Sequence, residues 1–222
     1  MPCDCSKLGL DEVFGERSAR HDVNRFIRRG LPRRSRKLLD AVQQITPVTG
    51  AETLEIGAGA GGLSVTLIER GAVRAMAVDA SPAFAAAARS LADRRGIADR
   101  LVVVAADFAA HSDATPPADV VMLDRVICCY PDLPALLLPA VARARRVIAL
   151  SYPRNAWWSR LLVRAANAGL TVTRRRFRMQ FHRPDRVRTM LEEGGFTSRV
   201  AGHVGVWELL VASRAGPAGH AR

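Results

Sequence analysis

The stretch Thr53-Leu-Glu-Ile-Gly-Ala-Gly-Ala-Gly-Gly-Leu63 decides the reading of this chain. It has the form of a short buried strand, then a glycine turn, then the start of a helix. Gly57, Gly59 and Gly61 allow the backbone to bend tightly and to approach a ligand with no Cβ in the way. The helix that follows, expected from Leu63 to Arg70, would point free N–H groups at whatever lies over the turn. Such a turn suits a nucleotide-like cofactor.

Gly57, Gly59 and Gly62 also satisfy G-x-G-x-x-G, so a dinucleotide-binding site is one reading of the turn. Carboxylates at the ends of successive apolar runs point elsewhere. Glu55 stands two residues before the first glycine. Asp79 ends Arg74-Ala-Met-Ala-Val-Asp79, where it could accept both ribose hydroxyls. Asp107 follows the run from Leu101, where it could meet an adenine amino group. For Asp79 and Asp107 the structural alternative is a strand end or a helix cap.

With these residues in place, the chain from about Leu38 to Ser213 resembles the class I S-adenosylmethionine (SAM)-dependent methyltransferases. The resemblance implies SAM as cofactor. It also implies a cofactor site made of Glu55, Gly57, Ala58, Gly59, Gly61, Asp79, Ala80, Asp107, Phe108 and Asp124.

Outward from the turn, strand and helix patterns alternate. Leu38, Leu39, Val42 and Ile45 form an apolar stripe on a helix from Arg33 to Ile45, ahead of the first strand. Residues up to about 20 read as irregular, and His21–Gly30 as a basic helix. Ser81-Pro82 is a cap with proline at the first helical position, opening an alanine-rich helix to about Arg95. Asp119–Asp124 and Arg146–Ser151 read as buried strands, with a helix between them delayed by Pro131 and Pro134. A helix over Pro184–Glu193 and two final strands close the pattern. The expected fold is α/β: a Rossmann-like, seven-stranded, mostly parallel sheet with helices on both faces and an antiparallel last strand. The expected organisation is a basic N-terminal extension or cap over residues 1–37, a methyltransferase domain over 38–213 with an insertion or lid at 152–182, and a flexible tail over 214–222.

At 222 residues the chain suits one α/β domain and is short for a nucleotide domain plus a separate substrate domain. No run approaches the roughly 18 apolar residues of a membrane span. The first residues lack the apolar core of a signal peptide, so a cytoplasmic protein is expected. Cys3, Cys5, Cys128 and Cys129 have no C-x-x-C spacing, and no metal site is expected from them. The chain has 33 basic against 21 acidic residues, formally +12, and Lys7 and Lys37 are its only lysines. The arginine clusters favour anionic partners, with a solvated, arginine-rich surface as the plain alternative.

In open α/β sheets, ligands bind beyond the carboxyl ends of the strands. That directs attention to Asp124, Arg125 and Tyr130 after the fourth strand. Asp124 could contact the amino-acid end of SAM or the acceptor, and Arg125 could hold a substrate carboxylate. The structural alternative is a turn cap paired with Arg125. After the fifth strand, Trp157, Trp158, Leu161, Leu162 and Ala165 can share one face of a helix, with Arg160 and Arg164 on another. This helix either packs its tryptophans on the core, covers the site as a lid, or touches a membrane surface. The tyrosine-proline turn at Tyr130, Tyr152-Pro153-Arg154 and Phe181-His182 give a narrower resemblance to the magnesium-protoporphyrin O-methyltransferase branch. That branch methylates a propionate carboxylate, which implies a small anionic acceptor here. Catalysis is assigned to Asp124, Arg125 and His182, with His182 or His203 as the base if the acceptor is a phenol or amine. Competing readings are an RNA methyltransferase, an NAD(P)-dependent oxidoreductase, and a non-catalytic SAM-binding module docking on a membrane or partner.

Overall fold

The computed structural model describes residues 9–214. Cys3, Cys5 and the expected tail from residue 215 onward lie outside the described residues. Nine α-helices and seven strands follow one another among the described residues: α1 (Leu10–Val13), α2 (Glu16–Arg29), α3 (Arg33–Gln43), β1 (Glu52–Ile56), α4 (Gly62–Glu69), β2 (Arg74–Asp79), α5 (Pro82–Arg94), β3 (Leu101–Ala105), α6 (Phe108–His111), β4 (Ala118–Asp124), α7 (Leu133–Arg143), β5 (Ala144–Pro153), α8 (Trp157–Val172), α9 (Pro184–Glu193), β6 (Phe196–Val204) and β7 (Trp207–Arg214).

The strands form one sheet in the order β3-β2-β1-β4-β5-β7-β6. β7 runs antiparallel to both β5 and β6, and the other neighbouring pairs are parallel. The central strands are buried on both faces, as parallel strands under helices must be. Along β4, Val120 and Met122 join the core beneath α2–α5, while Val121 and Leu123 join the core beneath α6, α7 and α9. The chain reverses across β1, with β2 to one side and β4 to the other. The cleft at the carboxyl ends of β1 and β4 lies at this switch point, the usual ligand position in such sheets.

Three boundaries differ from the sequence expectation. The segment up to residue 20 is helical from Glu16, because Ala19 and Val23 pack with Phe14, Ala60 and Phe84. Two small or β-branched residues among many charges make too sparse a stripe to read locally. The expected boundary at 37/38 falls inside α3, whose Leu38, Leu39 and Val42 are fully buried in the sheet's core. The N-terminal helices are therefore part of the fold. β5 runs ten residues, longer than expected, because β7 pairs with it as far as Pro153.

Candidate active site

The glycine turn leaves β1 with Gly57, Gly59 and Gly61 all in the left-handed region. At Gly57 a Cβ would come within 2.5 Å of a Val126 methyl, and at Gly61 within 2.9 Å of the Ala88 Cβ. Backbone conformation and close packing together demand glycine at both positions. α2 lies over the turn: a Cβ on Gly62 would meet the Phe26 ring at 2.8 Å.

Glu55 is buried behind the turn. Its Oε2 accepts from the Ser64 N–H at 2.9 Å and from the Ser64 hydroxyl at 2.5 Å, which fastens the first turn of α4 to β1. Burial pushes its pKa up to about 8, and the Ser64 hydrogen bonds only partly oppose this. Asp79, at the end of β2, accepts from the Gly59 N–H at 2.7 Å and from the Ser81 N–H at 2.9 Å. Burial raises its pKa, and those two N–H groups hold it back. Each Asp79 oxygen keeps a further lone pair for a ligand.

Asp107 caps α6 through the Ala109 N–H at 3.0 Å and accepts from the Tyr130 hydroxyl at 3.1 Å. The capping alternative raised from the sequence is thus realised, with the carboxylate still in the cavity wall. That cavity measures about 490 Å³ and runs past Gly57, Gly59, Asp79, Ala80, Asp107, Phe108, Asp124 and Arg125. Ala58, with Glu55, Gly57 and Gly59, lines a smaller adjoining recess of about 100 Å³ under α2. The larger volume is within the usual range of small-molecule sites. Its apolar walls include Phe14, Phe177, Met179 and Trp207.

Two distant segments close the cavity. Phe14 packs edge-on against both Phe84 and Phe177. Glu12 accepts from the Arg176 amide at 2.8 Å and from its guanidinium at 2.9 Å. The segment after α8 is therefore latched to α1.

Asp124 pairs with Arg34, not with Arg125 as its sequence neighbourhood suggested. Arg34 donates to its two oxygens at 2.6 and 2.9 Å, Ser35 donates at 2.5 Å, and Ser151 donates to Oδ1. Burial alone would raise the Asp124 pKa, but the bonds and charge of Arg34, with Ser151 and Ser35, leave it below the usual carboxylate range. This carboxylate is saturated: it can shape the cavity wall, but it has little capacity left to take a proton. Arg125 stands beside it with φ 66°, a left-handed conformation uncommon outside glycine. Its amide is held by the Ser151 carbonyl at 3.2 Å and hydroxyl at 2.9 Å. The exposed Arg125 guanidinium lines the cavity and has no hydrogen-bond or ion-pair partner among the described residues.

His182 is elsewhere. Its Nε2 donates to the Tyr130 carbonyl at 2.8 Å, and the residue does not line the cavity. His203 faces Glu208 at 3.5 Å, also away from it. Neither ring that was expected as a base reaches the cavity: β6 and the strap before α9 carry both past it. Cys128 and Cys129 do line it, their sulfurs 3.9 Å apart and each 3.4 Å from the Arg125 carbonyl. No group of three or more His, Cys, Asp or Glu among the described residues is placed to hold a metal ion.

Arg34, Ser35, Ser151 and Trp207 were not singled out in the sequence. Arg34 lay in a quoted arginine cluster, but nothing local distinguishes it from Arg33 or Arg36. Only the contact across 90 residues does so, aided by Trp207, whose ring lies 5.5 Å from the guanidinium.

Residues 53–149 match the family model described as Methyltransferase domain. No curated protein matches the chain. Among solved structures, magnesium protoporphyrin IX methyltransferase from Synechocystis PCC 6803 with bound SAM is 18% identical, with a TM-score of 0.68 over 96% of this chain and 98% of that one. An O-methyltransferase family protein from Burkholderia thailandensis is 14% identical, with a TM-score of 0.70 over 95% of this chain and 64% of that one. An O-methyltransferase family 2 protein from Planctomyces limnophilus DSM 3776, in complex with apigenin, is 17% identical, with a TM-score of 0.68 over 90% of this chain and 62% of that one. Residues 53–149 are thus similar to a methyltransferase domain, and the fold is the Rossmann-like fold of the SAM-dependent methyltransferases. The antiparallel β7, inserted between β5 and β6, also separates it from the 3-2-1-4-5-6 sheet of the dinucleotide-binding dehydrogenases.

Proposed function

We propose that this protein transfers the methyl group of SAM to an oxygen of a small anionic acceptor, a carboxylate in the first place. The observation that carries the proposal is Arg125, an unpartnered guanidinium held at the cavity rim in a left-handed conformation. Such a conformation costs on the order of 1–3 kcal/mol and persists where the surroundings over-determine it. A planar guanidinium is suited to a carboxylate, which it can grip through two parallel hydrogen bonds.

The cofactor fits the cavity's wall. Gly57, Ala58 and Gly59 border the methionine part, with Gly61 closing the turn against α5 and Glu55 setting it from behind. Asp79 has lone pairs for ribose hydroxyls, while Ala80, Asp107 and Phe108 border the place of the adenine. When bound, SAM supplies an electrophilic methyl group on a sulfonium. The protein's part is positioning, which can contribute roughly 7–11 kcal/mol when reacting atoms are well aligned. Arg125 binds and orients the acceptor, while Asp124, saturated by Arg34, keeps the neighbouring wall neutral overall. Phe14, Phe177 and Met179 exclude water, making α1, α2 and the 174–182 strap the cap of the cleft.

A carboxylate is already ionised at neutral pH and needs no base. No histidine lines the cavity; Asp124 is saturated, Asp22 pairs with Arg25 at 3.0 Å, and Asp79 and Asp107 are assigned to the cofactor, which leaves the Cys128 and Cys129 thiols beside the Arg125 carbonyl. Two solved neighbours are named O-methyltransferases, which supports oxygen as the target.

The test is calorimetric titration with SAM, S-adenosylhomocysteine and NADH, followed by methyl transfer to matched carboxylates, phenols and amines. The adenosyl compounds should bind, and Asp79→Ala should weaken them. Arg125→Ala should raise KM for carboxylates about 10- to 100-fold, the effect of a charge-assisted hydrogen bond, with SAM affinity unchanged. Turnover of phenols or amines but not carboxylates would overturn the acceptor assignment. Binding of NADH alone would overturn the cofactor assignment.

A further inference from the structure

A surface helix of a globular protein normally turns its apolar stripe inward. α8 does the reverse. Ser159 and Val163 are its buried residues, and α8 contributes to none of the core clusters. Trp157, Leu161, Ala165, Ala168 and Val172 recur at helical spacing and are all exposed, Trp157 at 78%, Leu161 at 58% and Val172 at 83%. Core packing of the tryptophans was one of three readings open from the sequence; Trp157 instead points out, and Trp158 is half-buried, with Arg154 stacked over its ring at 5.5 Å.

The charge on the segment that carries this stripe has one sign, and Glu12 of α1, which lies near Arg175, is taken up by Arg176. From Leu133 to Pro184 the sequence contains no aspartate or glutamate. Arg164, beside the stripe, and Arg174 and Arg175, just past its end, are exposed and have no ion-pair or side-chain hydrogen-bond partner among the described residues. An apolar face bordered by arginines is the pattern of a helix that lies in a membrane interface. No helix among the described residues is long and apolar enough to cross a membrane. An RNA strand could use the arginines, but it would leave Leu161, Ala165, Ala168 and Val172 with nothing to bury them.

We propose that α8 docks the protein on the surface of an anionic lipid bilayer. Trp157, Leu161 and Val172 enter the boundary between headgroups and acyl chains, and Arg164, Arg174 and Arg175 meet the lipid phosphates. Asn167 ties this helix to the cavity: its side chain donates to the Met179 carbonyl at 2.9 Å and accepts from the Met179 N–H at 2.8 Å. Met179 lines the cavity, so the docking helix is fastened to one of its walls.

The experiment is sedimentation of the full chain with phosphatidylserine–phosphatidylcholine vesicles, with phosphatidylcholine vesicles alone, and with single-stranded RNA as a competitor. The protein should pellet with the anionic vesicles, less as salt rises. The variant Trp157→Ser/Leu161→Ser should weaken this by about tenfold or more, since two buried apolar side chains are lost. Arg164→Gln/Arg174→Gln should weaken it too and flatten the salt dependence. Circular dichroism melts check that the variants fold, and Val172→Ser at the helix end provides an independent probe of the stripe. No pelleting with anionic vesicles would overturn the proposal. So would pelleting indifferent to the stripe variants, or RNA binding that displaces the vesicles and survives those variants.

Discussion

Replacing Glu55 by glutamine tests the electrostatics behind the glycine turn. In the unfolded chain this carboxyl releases its proton near its ordinary value of 4.5, whereas in the fold burial holds the proton up to about 8. Between those values the unfolded state binds fewer protons, so stability falls as pH rises. The wild type keeps its full stability from this group below 4.5 and has lost it by about 8. Each pH unit in the window costs about 1.4 kcal/mol once the unfolded carboxyl is ionised. Glutamine preserves the acceptor for Ser64 and cannot ionise. Urea denaturation of both proteins should therefore give similar stabilities near pH 5, with Glu55→Gln gaining about 3–4 kcal/mol on the wild type by pH 8. Because the other titrating groups are common to both proteins, the difference isolates Glu55. A wild-type-minus-variant difference that stays flat across this range would refute the claim that Glu55 is buried with its proton on.

Arg34→Ala should destabilise the protein by about 3–5 kcal/mol in urea denaturation, because it leaves Asp124 buried and unpaired. With Arg34 in place the Asp124 pKa is lowered, so this pair's contribution is present above the usual carboxylate value and lost as pH falls through the lowered one; the variant should lack that acid-side loss. Gly57→Ala should abolish measurable SAM binding by calorimetry, since its Cβ would stand 2.5 Å from Val126 on a backbone of φ +65°. Adding Val126→Ala should restore part of the stability in a thermal melt by making room for that Cβ. Glu12→Gln should loosen the latch on Arg176 and speed limited proteolysis near residues 174–178 while barely moving the melting temperature, because exposed ion pairs contribute little to stability.

The sequence by itself determined the alternating α/β order, the glycine turn, the carboxylates at the strand ends and the proline-opened helices at Pro82 and Pro184. These are legible because they depend on residues within one or two turns of each other: a glycine's freedom, a serine cap, an apolar run. α9 at Pro184–Glu193 appears with the bounds its pattern suggests, and Asp79 and Asp107 face the cavity from the expected strand ends. Tertiary structure decided the pairings and the directions. Asp124 could have paired with its neighbour Arg125 and instead found Arg34, 90 residues away, leaving Arg125 at the rim. His182 has the composition of a catalytic base but is turned away, its Nε2 held by the Tyr130 carbonyl. For α8 the spacing put Trp157 and Leu161 on one face, yet nothing in the spacing says which way that face points. A local pattern fixes which residues share a surface. Which partner that surface meets is set by the packing of segments far apart in the chain.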